Sequence, residues 1–321
     1  MKILACAEGR ADGIEPVSLE MIAAARAIAG AGDEIVAFFA GPRSAAVPAS
    51  LGGADRLIAA YADGAALVPA ESYARLLRDA IASEEAALVL VPYSANGLDV
   101  AAEVAARTGW PMVSYVNAVK RAGDSLSVTA QIYGGKLLAE CEVQLPAILM
   151  VNPGAFAEAP AAPIGADKLH EIDATATVQA GKVRPVAVEL PDLSEVDLTT
   201  DERIVCVGRG VGDAASIDPV RDLAALLGAE IAGSRPVVDS GWLPKVRQVG
   251  KSGQKVKPKL YLCLGVSGAP EHIEGMKGAE LIIAVNTDAK APIFDVAHYG
   301  ATCDLFDLLP RLEELLKANT G

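Results

Sequence analysis

The sequence predicts an α/β protein with two domains, each built on a largely parallel β-sheet. The chain has 321 residues, more than one hydrophobic core usually organises. Short apolar segments alternate with segments of helical periodicity, which is typical of right-handed βαβ units. The composition is 52% apolar but only 4% aromatic, which suits closely packed α/β layers. We therefore expect an N-terminal parallel-sheet, nucleotide-binding-like domain with antiparallel additions, followed by a C-terminal Rossmann-like domain.

Composition argues against several classes of protein. The net charge of −13 argues against nucleic acid as a partner, since a surface that tracks phosphates needs positive charge. No apolar segment approaches the ~20 residues that span a bilayer, so we expect no membrane insertion. The start of the chain fits a first strand better than a secretory leader, which predicts a cytoplasmic protein. The five cysteines and three histidines show no paired spacing, so we expect neither disulfides nor a metal site.

The first half of the chain alternates between strand and helix patterns. Apolar runs that stop at glycine, proline or polar residues predict strands at 2–7, 34–40, 54–60, 87–92 and 112–116. Apolar residues at helical spacing predict helices at 15–29, 73–83 and 98–107. This alternation predicts a parallel sheet covered by helices.

The pattern changes after Val119. Segments at 125–132, 134–142 and 147–151, with a turn at Gly134-Gly135, predict antiparallel strands added to the sheet, and further strands are predicted at 175–179 and 185–189. The stretch 191–202 is predicted to link a domain at 1–190 to a domain at 203–321. Charge supports this division, since residues 1–199 carry a net charge of −11 and residues 200–321 only −2.

The second domain is predicted to open with a strand that runs into a glycine-rich turn at 203–212. The glycines have the spacing G-x-G-x-G, which does not match the dinucleotide fingerprint. A helix capped by Ser216 or Asp218 should end at Leu227. Further strands are predicted at 229–233, 260–266 and 281–286, and a closing helix, interrupted by Pro310, at 305–318.

A basic stretch lies at the centre of this second domain. Between Lys245 and Lys259 there are six cations and no acid, in a chain that is acidic overall. Glycines and hydroxyls are interleaved with these cations, and similar Gly-Ser runs lie on either side, at the ends of predicted strands. Such residues suit the binding of a phosphate-bearing ligand. The alternative is a solvated basic loop without a ligand.

Several short runs of the second domain match one known family in order and spacing as far as residue 306. The runs are Val207-Gly208-Arg209-Gly210, Gly233-Ser234-Arg235-Pro236, Gln248-Val249-Gly250-Lys251-Ser252-Gly253, Gly265-Val266-Ser267-Gly268-Ala269 and Ala291-Pro292-Ile293-Phe294. Through them the second domain closely resembles the alpha subunit of electron transfer flavoprotein. The first domain resembles that family more weakly, chiefly at Ser94-Ala95-Asn96-Gly97 and Ile132-Tyr133-Gly134-Gly135.

The resemblance implies that the second domain binds FAD and that the chain forms a heterodimer with an electron transfer flavoprotein beta subunit. Such a heterodimer carries electrons, for example in fatty acid oxidation, from flavoprotein dehydrogenases to a quinone-linked oxidoreductase or another acceptor. One alternative is the alpha subunit of a flavin-based electron-bifurcating, NADH-dependent complex. Another, suggested by the layout of the first domain alone, is a nucleotide-binding sensor without redox function.

The resemblance also assigns cofactor-binding residues. Ser252 falls where the family places a hydroxyl near flavin N5, His272 where it places an imidazole near the pyrimidine edge, and Arg235 where a guanidinium lies against the ring. Asn286 and Asp304 fall where the adenosine end is held. The full predicted set is Arg209, Ser234, Arg235, Gln248, Val249, Gly250, Lys251, Ser252, Gly253, Ser267, Gly268, Ala269, His272, Asn286 and Asp304.

One departure and several alternatives accompany these assignments. Lys251-Ser252 stands where the family often has Gln-Thr, so the hydroxyl is kept and a charge is added near the cofactor. Taken singly, Asn286 would cap a turn, Asp304 would cap the helix from Leu305, and His272 would be an ordinary histidine at a helix start.

Overall fold

The computed structural model describes residues 1–10, 13–65, 67–123, 125–133, 135, 137–186 and 196–319. The chain forms two compact units, Met1–Val188 and Glu189–Gly321. Each unit is built on its own sheet, and hydrophobic clusters cover both faces of each sheet.

The first unit contains a nine-stranded mixed sheet among its described residues. The strands of the unit, of which β2 and β3 lie outside this sheet, are β1 (Lys2–Ala7), β2 (Gly9–Arg10), β3 (Gly13–Ile14), β4 (Glu34–Gly41), β5 (Arg56–Tyr61), β6 (Leu88–Pro92), β7 (Met112–Ala122), β8 (Ser125–Ile132), β9 (Leu137–Gln144), β10 (Ala147–Val151) and β11 (Leu169–Asp173). Its helices are α1 (Val17–Ile28), α2 (Ala46–Ser50), α3 (Ala70–Glu84), α4 (Ala95–Thr108) and α5 (Thr175–Gln179).

The strand order of the large sheet is β11-β5-β4-β1-β6-β10-β7-β8-β9, while β2 and β3 pair separately. All neighbours in the large sheet are parallel except β7 with β8 and β8 with β9. Central strands are buried on both faces, so that Ile3 and Leu4 enter different hydrophobic clusters. This two-sided burial explains why the strands read as continuous apolar runs.

Two predictions for the first unit are wrong. The segment Ala147–Val151 is a strand but not an antiparallel one, since β10 lies parallel between β6 and β7. The segment Thr175–Gln179 is the helix α5 and not a strand. Its β-branched residues favour a strand, but Asp173 Oδ1 accepts a hydrogen bond from the Thr175 amide at 2.9 Å, which forms a turn of the Asx type directly before the helix.

Several predicted segments lie partly outside the described residues. Of the predicted turn at Gly134-Gly135, only Gly135 is described. Of the predicted strand at 185–189, residues 185 and 186 are irregular and the others are not described. The predicted linker at 191–202 is described only from residue 196, where Val196 and Leu198 are buried in the core of the second unit. The sequence patterns did not predict the edge strand β11.

The second unit is a five-stranded parallel sheet among its described residues. Its strands are β12 (Arg203–Val207), β13 (Glu230–Gly233), β14 (Leu260–Leu264), β15 (Leu281–Asn286) and β16 (Tyr299–Thr302). Its helices are α6 (Asp218–Leu227), α7 (Arg235–Asp239), α8 (Pro270–Met276) and α9 (Leu305–Asn319). The order β13-β12-β14-β15-β16 is one of the two common doubly wound orders, and its strand order reverses between β12 and β14.

Details of the second unit differ from prediction. Neither Ser216 nor Asp218 caps α6 with its side chain, and Asp213 Oδ1 instead accepts from the Ser216 amide at 2.8 Å. Pro310 lies inside α9 without ending it. Strand β16 was not predicted, because Tyr299–Thr302 is short and largely exposed.

Two kinds of functional feature are absent from the described residues. No helix there is long and apolar enough to cross a membrane. No group of three or more His, Cys, Asp and Glu side chains in the same residues could hold a metal ion.

Candidate functional site

The loops that follow the five strands of the second unit leave the sheet at its carboxyl edge. Because parallel strands all end at the same edge, this is where an open α/β sheet binds its ligand. Predicted site residues occur at the end of every strand, β12 to β16. They are Arg209, Ser234, Arg235, Ser267, Gly268, Ala269, Asn286 and Asp304.

The loop at residues 248–253 joins this edge through β13. A parallel bridge pairs Gly233 with Gln248, and the Val249 amide donates to the Gly233 carbonyl at 3.0 Å. Gln248 is only 1% exposed. Its Nε2 donates to Ser252 Oγ at 2.9 Å and its Oε1 accepts from Lys245 Nζ at 2.7 Å. Gln248 therefore braces the loop from within, while Ser252 is exposed.

The same loop packs closely on α8. A methyl group on Gly275 would lie 2.5 Å from the Cα of Gly250, so only glycine permits this contact. The Lys251 amide donates to the Glu271 carbonyl at 2.7 Å. These contacts hold the loop beside the helix that carries His272.

Half of the cations in the basic stretch pair with acidic side chains. Arg247 donates to Glu230 at 2.8 Å and to the Ile231 carbonyl at 2.7 Å. Lys255 lies 3.6 Å from Glu274, and Lys259 lies 2.6 Å from Glu202. Three of the six cations thus pair with acids of the same unit. For these three, the interpretation as a basic loop without a ligand fits the structure better than anion binding.

The turn after β14 is shaped by a close backbone approach. Gly268 has φ of +83°, and a methyl group there would lie 2.2 Å from the Ile293 nitrogen. The Ile293 amide donates to the Ser267 carbonyl at 3.1 Å. A residue other than glycine would be both strained and obstructed at position 268. The neighbouring Ser267 side chain is exposed at the edge of the sheet.

The two predicted arginines are exposed. Arg235 opens α7 with 69% of its side chain accessible, and its Nε donates to Asp239 Oδ2 at 3.2 Å. Arg209 lies in the 3₁₀ turn Arg209–Val211 directly after β12. Ser234, between β13 and α7, is 7% exposed. A cation at the surface beside a buried hydroxyl-bearing residue suits an anionic ligand at this edge.

Asn286 and Asp304 make the local capping contacts that the sequence predicts as alternatives to cofactor binding. Asn286 Nδ2 donates to the Val266 carbonyl at 2.9 Å, and its Oδ1 accepts from the Asp288 amide at 2.9 Å. Asp304 Oδ1 accepts from the Phe306 amide at 2.8 Å, at the start of α9. Both side chains therefore shape the outer loops of the site.

His272 is a buried titratable group of the site. It is 6% exposed, and its Nε2 lies 3.2 Å from Tyr261 Oη and 3.8 Å from Cys206 Sγ. Its Nδ1 has no hydrogen-bond partner among the described residues. Burial lowers the pKa of His272 to about 4, against a smaller opposing effect of the Val249 backbone. The imidazole is therefore neutral at pH 7.

Sequence reasoning missed Tyr261 and Cys206 as companions of His272. Both lie on adjacent strands, β14 and β12, and both enter the same hydrophobic cluster. The available signal was the alternation of side chains along a strand, which puts Tyr261 and Cys263 on one face. It does not reveal that α8 would cover that face with His272.

These residues fit a bound nucleotide cofactor. The edge offers exposed cations and hydroxyls, and the unpartnered Nδ1 of His272 is a buried polar atom for which a ligand would supply a partner. A doubly wound parallel sheet with such loops at its carboxyl edge defines a nucleotide-cofactor-binding protein.

Comparison with known proteins identifies the family. The family described as "Electron transfer flavoprotein domain" matches residues 3–184, and "Electron transfer flavoprotein FAD-binding domain" matches residues 197–277. The electron transfer flavoprotein subunit alpha of Methylophilus methylotrophus is 37% identical over 99% of this chain and 98% of its own length. That of Syntrophomonas wolfei is 34% identical over 97% of both chains. Protein FixB of Azotobacter vinelandii is 34% identical over 78% of this chain and 71% of its own.

The chain belongs to the family of electron transfer flavoprotein alpha subunits. It is a flavoprotein of electron transport, and its second unit contains an FAD-binding domain. The resemblance given by the sequence runs is thereby confirmed, as is FAD as the cofactor.

Proposed function

We propose that this chain is the alpha subunit of a one-FAD electron carrier that works as a heterodimer with a beta subunit. The carrier accepts electrons from flavoprotein dehydrogenases, including those of fatty acid oxidation, and delivers them to a quinone-linked oxidoreductase or another acceptor. The observation that carries this proposal is the set of loops at the carboxyl edge of β12 to β16, with the neutral His272 buried beneath them. The full-length likeness to alpha subunits supports it.

The residues of this edge would share the binding of FAD. Arg209, Ser234, Arg235, the loop 248–253 and the turn Ser267-Gly268-Ala269 would hold the pyrophosphate, ribityl chain and ring, with His272 at the pyrimidine edge. Asn286 and Asp304 would shape the loops at the adenosine end, since their side chains already satisfy backbone amides.

FAD supplies the redox chemistry when bound, and this chain binds and tunes it. Arg235 is a permanent cation that would stabilise negative charge on the ring, and the Ser252 hydroxyl would donate a hydrogen bond. Gln248 keeps Ser252 in place through its 2.9 Å bond, and Lys245 in turn holds Gln248. The burial of His272 excludes water from one side of the site.

Flavin content of the purified heterodimer tests the proposal. We expect a yellow protein with one FAD per heterodimer, which is reduced by an acyl-CoA dehydrogenase and its substrate and reoxidised by a quinone-linked acceptor. A colourless protein would favour the nucleotide-binding sensor. Two FAD molecules per heterodimer with NADH oxidation would favour the electron-bifurcating complex. Either result would reject the one-FAD carrier.

A further inference from the structure

A buried polar contact links His272 to the sheet beneath it. Tyr261, in the centre of the unit, is 0% exposed, and its hydroxyl lies 3.2 Å from Nε2 of His272. Cys206 Sγ is 3.8 Å from the same nitrogen. Burial raises the pKa of the Cys206 thiol to about 12 and that of Tyr261 well above its usual value, so both groups stay protonated.

Two proton arrangements satisfy this contact. In the first, the Tyr261 hydroxyl donates to Nε2, and Nδ1 carries the ring proton. In the second, Nε2–H donates to Tyr261, whose own proton then points to Cys206 Sγ. Sulfur is a weak acceptor, whereas an imidazole nitrogen is a good one, so the first arrangement makes the stronger bond for Tyr261.

The other ring nitrogen is compatible with the same arrangement. Nδ1 has no hydrogen-bond partner among the described residues, so a proton there remains available as a donor to a ligand. The second arrangement would instead direct the Tyr261 proton to a weak sulfur acceptor.

We propose that Tyr261 is a positioning residue whose hydroxyl donates to Nε2 of His272 and so fixes the neutral Nδ1–H tautomer that is presented to the flavin. The proposal rests on the proposed function in one respect, namely that FAD binds at this edge with its ring near His272. The tautomer of a histidine is set by the hydrogen bond of its other nitrogen, and here that bond comes from a strand inside the fold. His272 would then act as a neutral donor and not as a second cation beside Arg235.

Nuclear magnetic resonance of the FAD-loaded heterodimer tests the proposal directly. With ¹⁵N-histidine in this chain only, long-range proton–nitrogen correlations distinguish the two tautomers, and His272→Asn identifies the signals of His272. We expect Nδ1–H in the wild type and a substantial Nε2–H population in Tyr261→Phe. A wild-type ring in the Nε2–H form would overturn the proposal, as would an unchanged tautomer in Tyr261→Phe.

FAD affinity gives a second readout. Tyr261→Phe should raise the dissociation constant of FAD about three- to tenfold, the effect of one net hydrogen bond. Tyr73→Phe is the matched control, since that buried hydroxyl donates to the carbonyls of Ala7 and Phe38 in the first unit. The control should leave both the tautomer and FAD affinity unchanged. Equal FAD affinity in wild type and Tyr261→Phe would contradict the proposal.

Substitution of the histidine itself covers the case in which Tyr261→Phe fails to fold. An asparagine amide nitrogen lies where Nδ1 lies, and that of glutamine reaches towards Nε2. His272→Asn should therefore bind FAD more tightly than His272→Gln, and the reverse order would count against the Nδ1–H donor. The tautomer can also be measured in FAD-free protein. Failure to bind FAD would therefore reject the proposed function, whereas the tautomer measurement would still decide the role of Tyr261.

Discussion

At the scale of single residues, burial of His272 makes the stability of the second unit depend on pH. The pKa of His272 is lowered from 6.5 to about 4 in the folded chain. The unfolded chain therefore binds more protons between these values, and the stability contributed by the neutral ring is complete above pH 6.5 and lost as the pH falls towards 4. Between pH 7 and pH 5 this loss amounts to about 2 kcal/mol.

Substitution of the ring should remove this dependence. We expect His272→Asn to unfold with a free energy that falls by about 2 kcal/mol less than that of the wild type between pH 7 and pH 5. Denaturant unfolding at the two pH values measures the difference. If the free energy of unfolding fell equally in the two proteins, the pKa of His272 would not differ between the folded and the unfolded chain.

Arg235 gives a second prediction at this scale. An effective interaction of about 1–2 kcal/mol between this cation and a reduced ring corresponds to about 40–90 mV in the first one-electron potential. Arg235→Ala should lower that potential by this order. Asp239→Asn should raise it, because the carboxylate 3.2 Å from Arg235 Nε offsets part of its charge.

A redox titration of the assembled protein measures both shifts. Arg311→Ala is the matched control, since Arg311 is exposed on α9 and forms a comparable pair with Glu314 at 3.0 Å. The control should leave the potential unchanged. If Arg235→Ala kept its full FAD content and an unshifted potential, Arg235 would not contribute to the reduction potential of the flavin.

At the scale of elements, the contact between the loop 248–253 and α8 depends on Gly275. A methyl group there would collide with Gly250 at 2.5 Å, so Gly275→Ala should displace the loop and weaken FAD binding at least tenfold. At Gly278 the same methyl group meets only the flexible Lys257 side chain, at 3.0 Å. Gly278→Ala should therefore bind FAD normally, and equilibrium dialysis of both variants compares them. Equal losses in the two would indicate general destabilisation.

The sequence predicted those elements whose identity is set locally. The residue pattern alone located the strands β1, β8, β10 and β15 to the residue, because each is a short run whose apolar or alternating pattern stops at its ends. Periodicity failed where the structure of a segment depends on a distant neighbour or on a local turn. The direction of β10 depends on its neighbours β6 and β7, and the segment of α5, strand-like in composition, follows a turn at Asp173.

The site shows the same division. Short runs at strand ends placed Ser267 and Arg235 at one edge of the sheet, since parallel strands share their carboxyl edge. The contact of His272 with Tyr261 was not predictable, because it requires knowing how α8 lies on β14. The internal role of Gln248 was equally hidden, since its sequence neighbours do not show that its side chain is buried.

At the scale of the whole molecule, the chain should depend on its partner. The first unit exposes large apolar side chains at Tyr133, Leu137 and Leu138, with 77%, 55% and 64% accessible. Such side chains favour association, and a flavin held by one small domain benefits from further cover. We expect the chain expressed alone to be poorly soluble or to lose FAD, and co-expression with a beta subunit to restore both. Soluble, fully FAD-loaded monomer from single expression would contradict this.

The position of β10 has a consequence for synthesis of the chain on the ribosome. β10 fills the gap between β6 and β7, although both of these strands and the β8–β9 hairpin precede it in the sequence. Until residue 151 has emerged, the edges of β6 and β7 that β10 will fill are unpaired, and β6 consists entirely of apolar residues. Such edges invite pairing with other chains. The nascent first unit is therefore expected to need chaperone protection most between the emergence of β7 and that of β10.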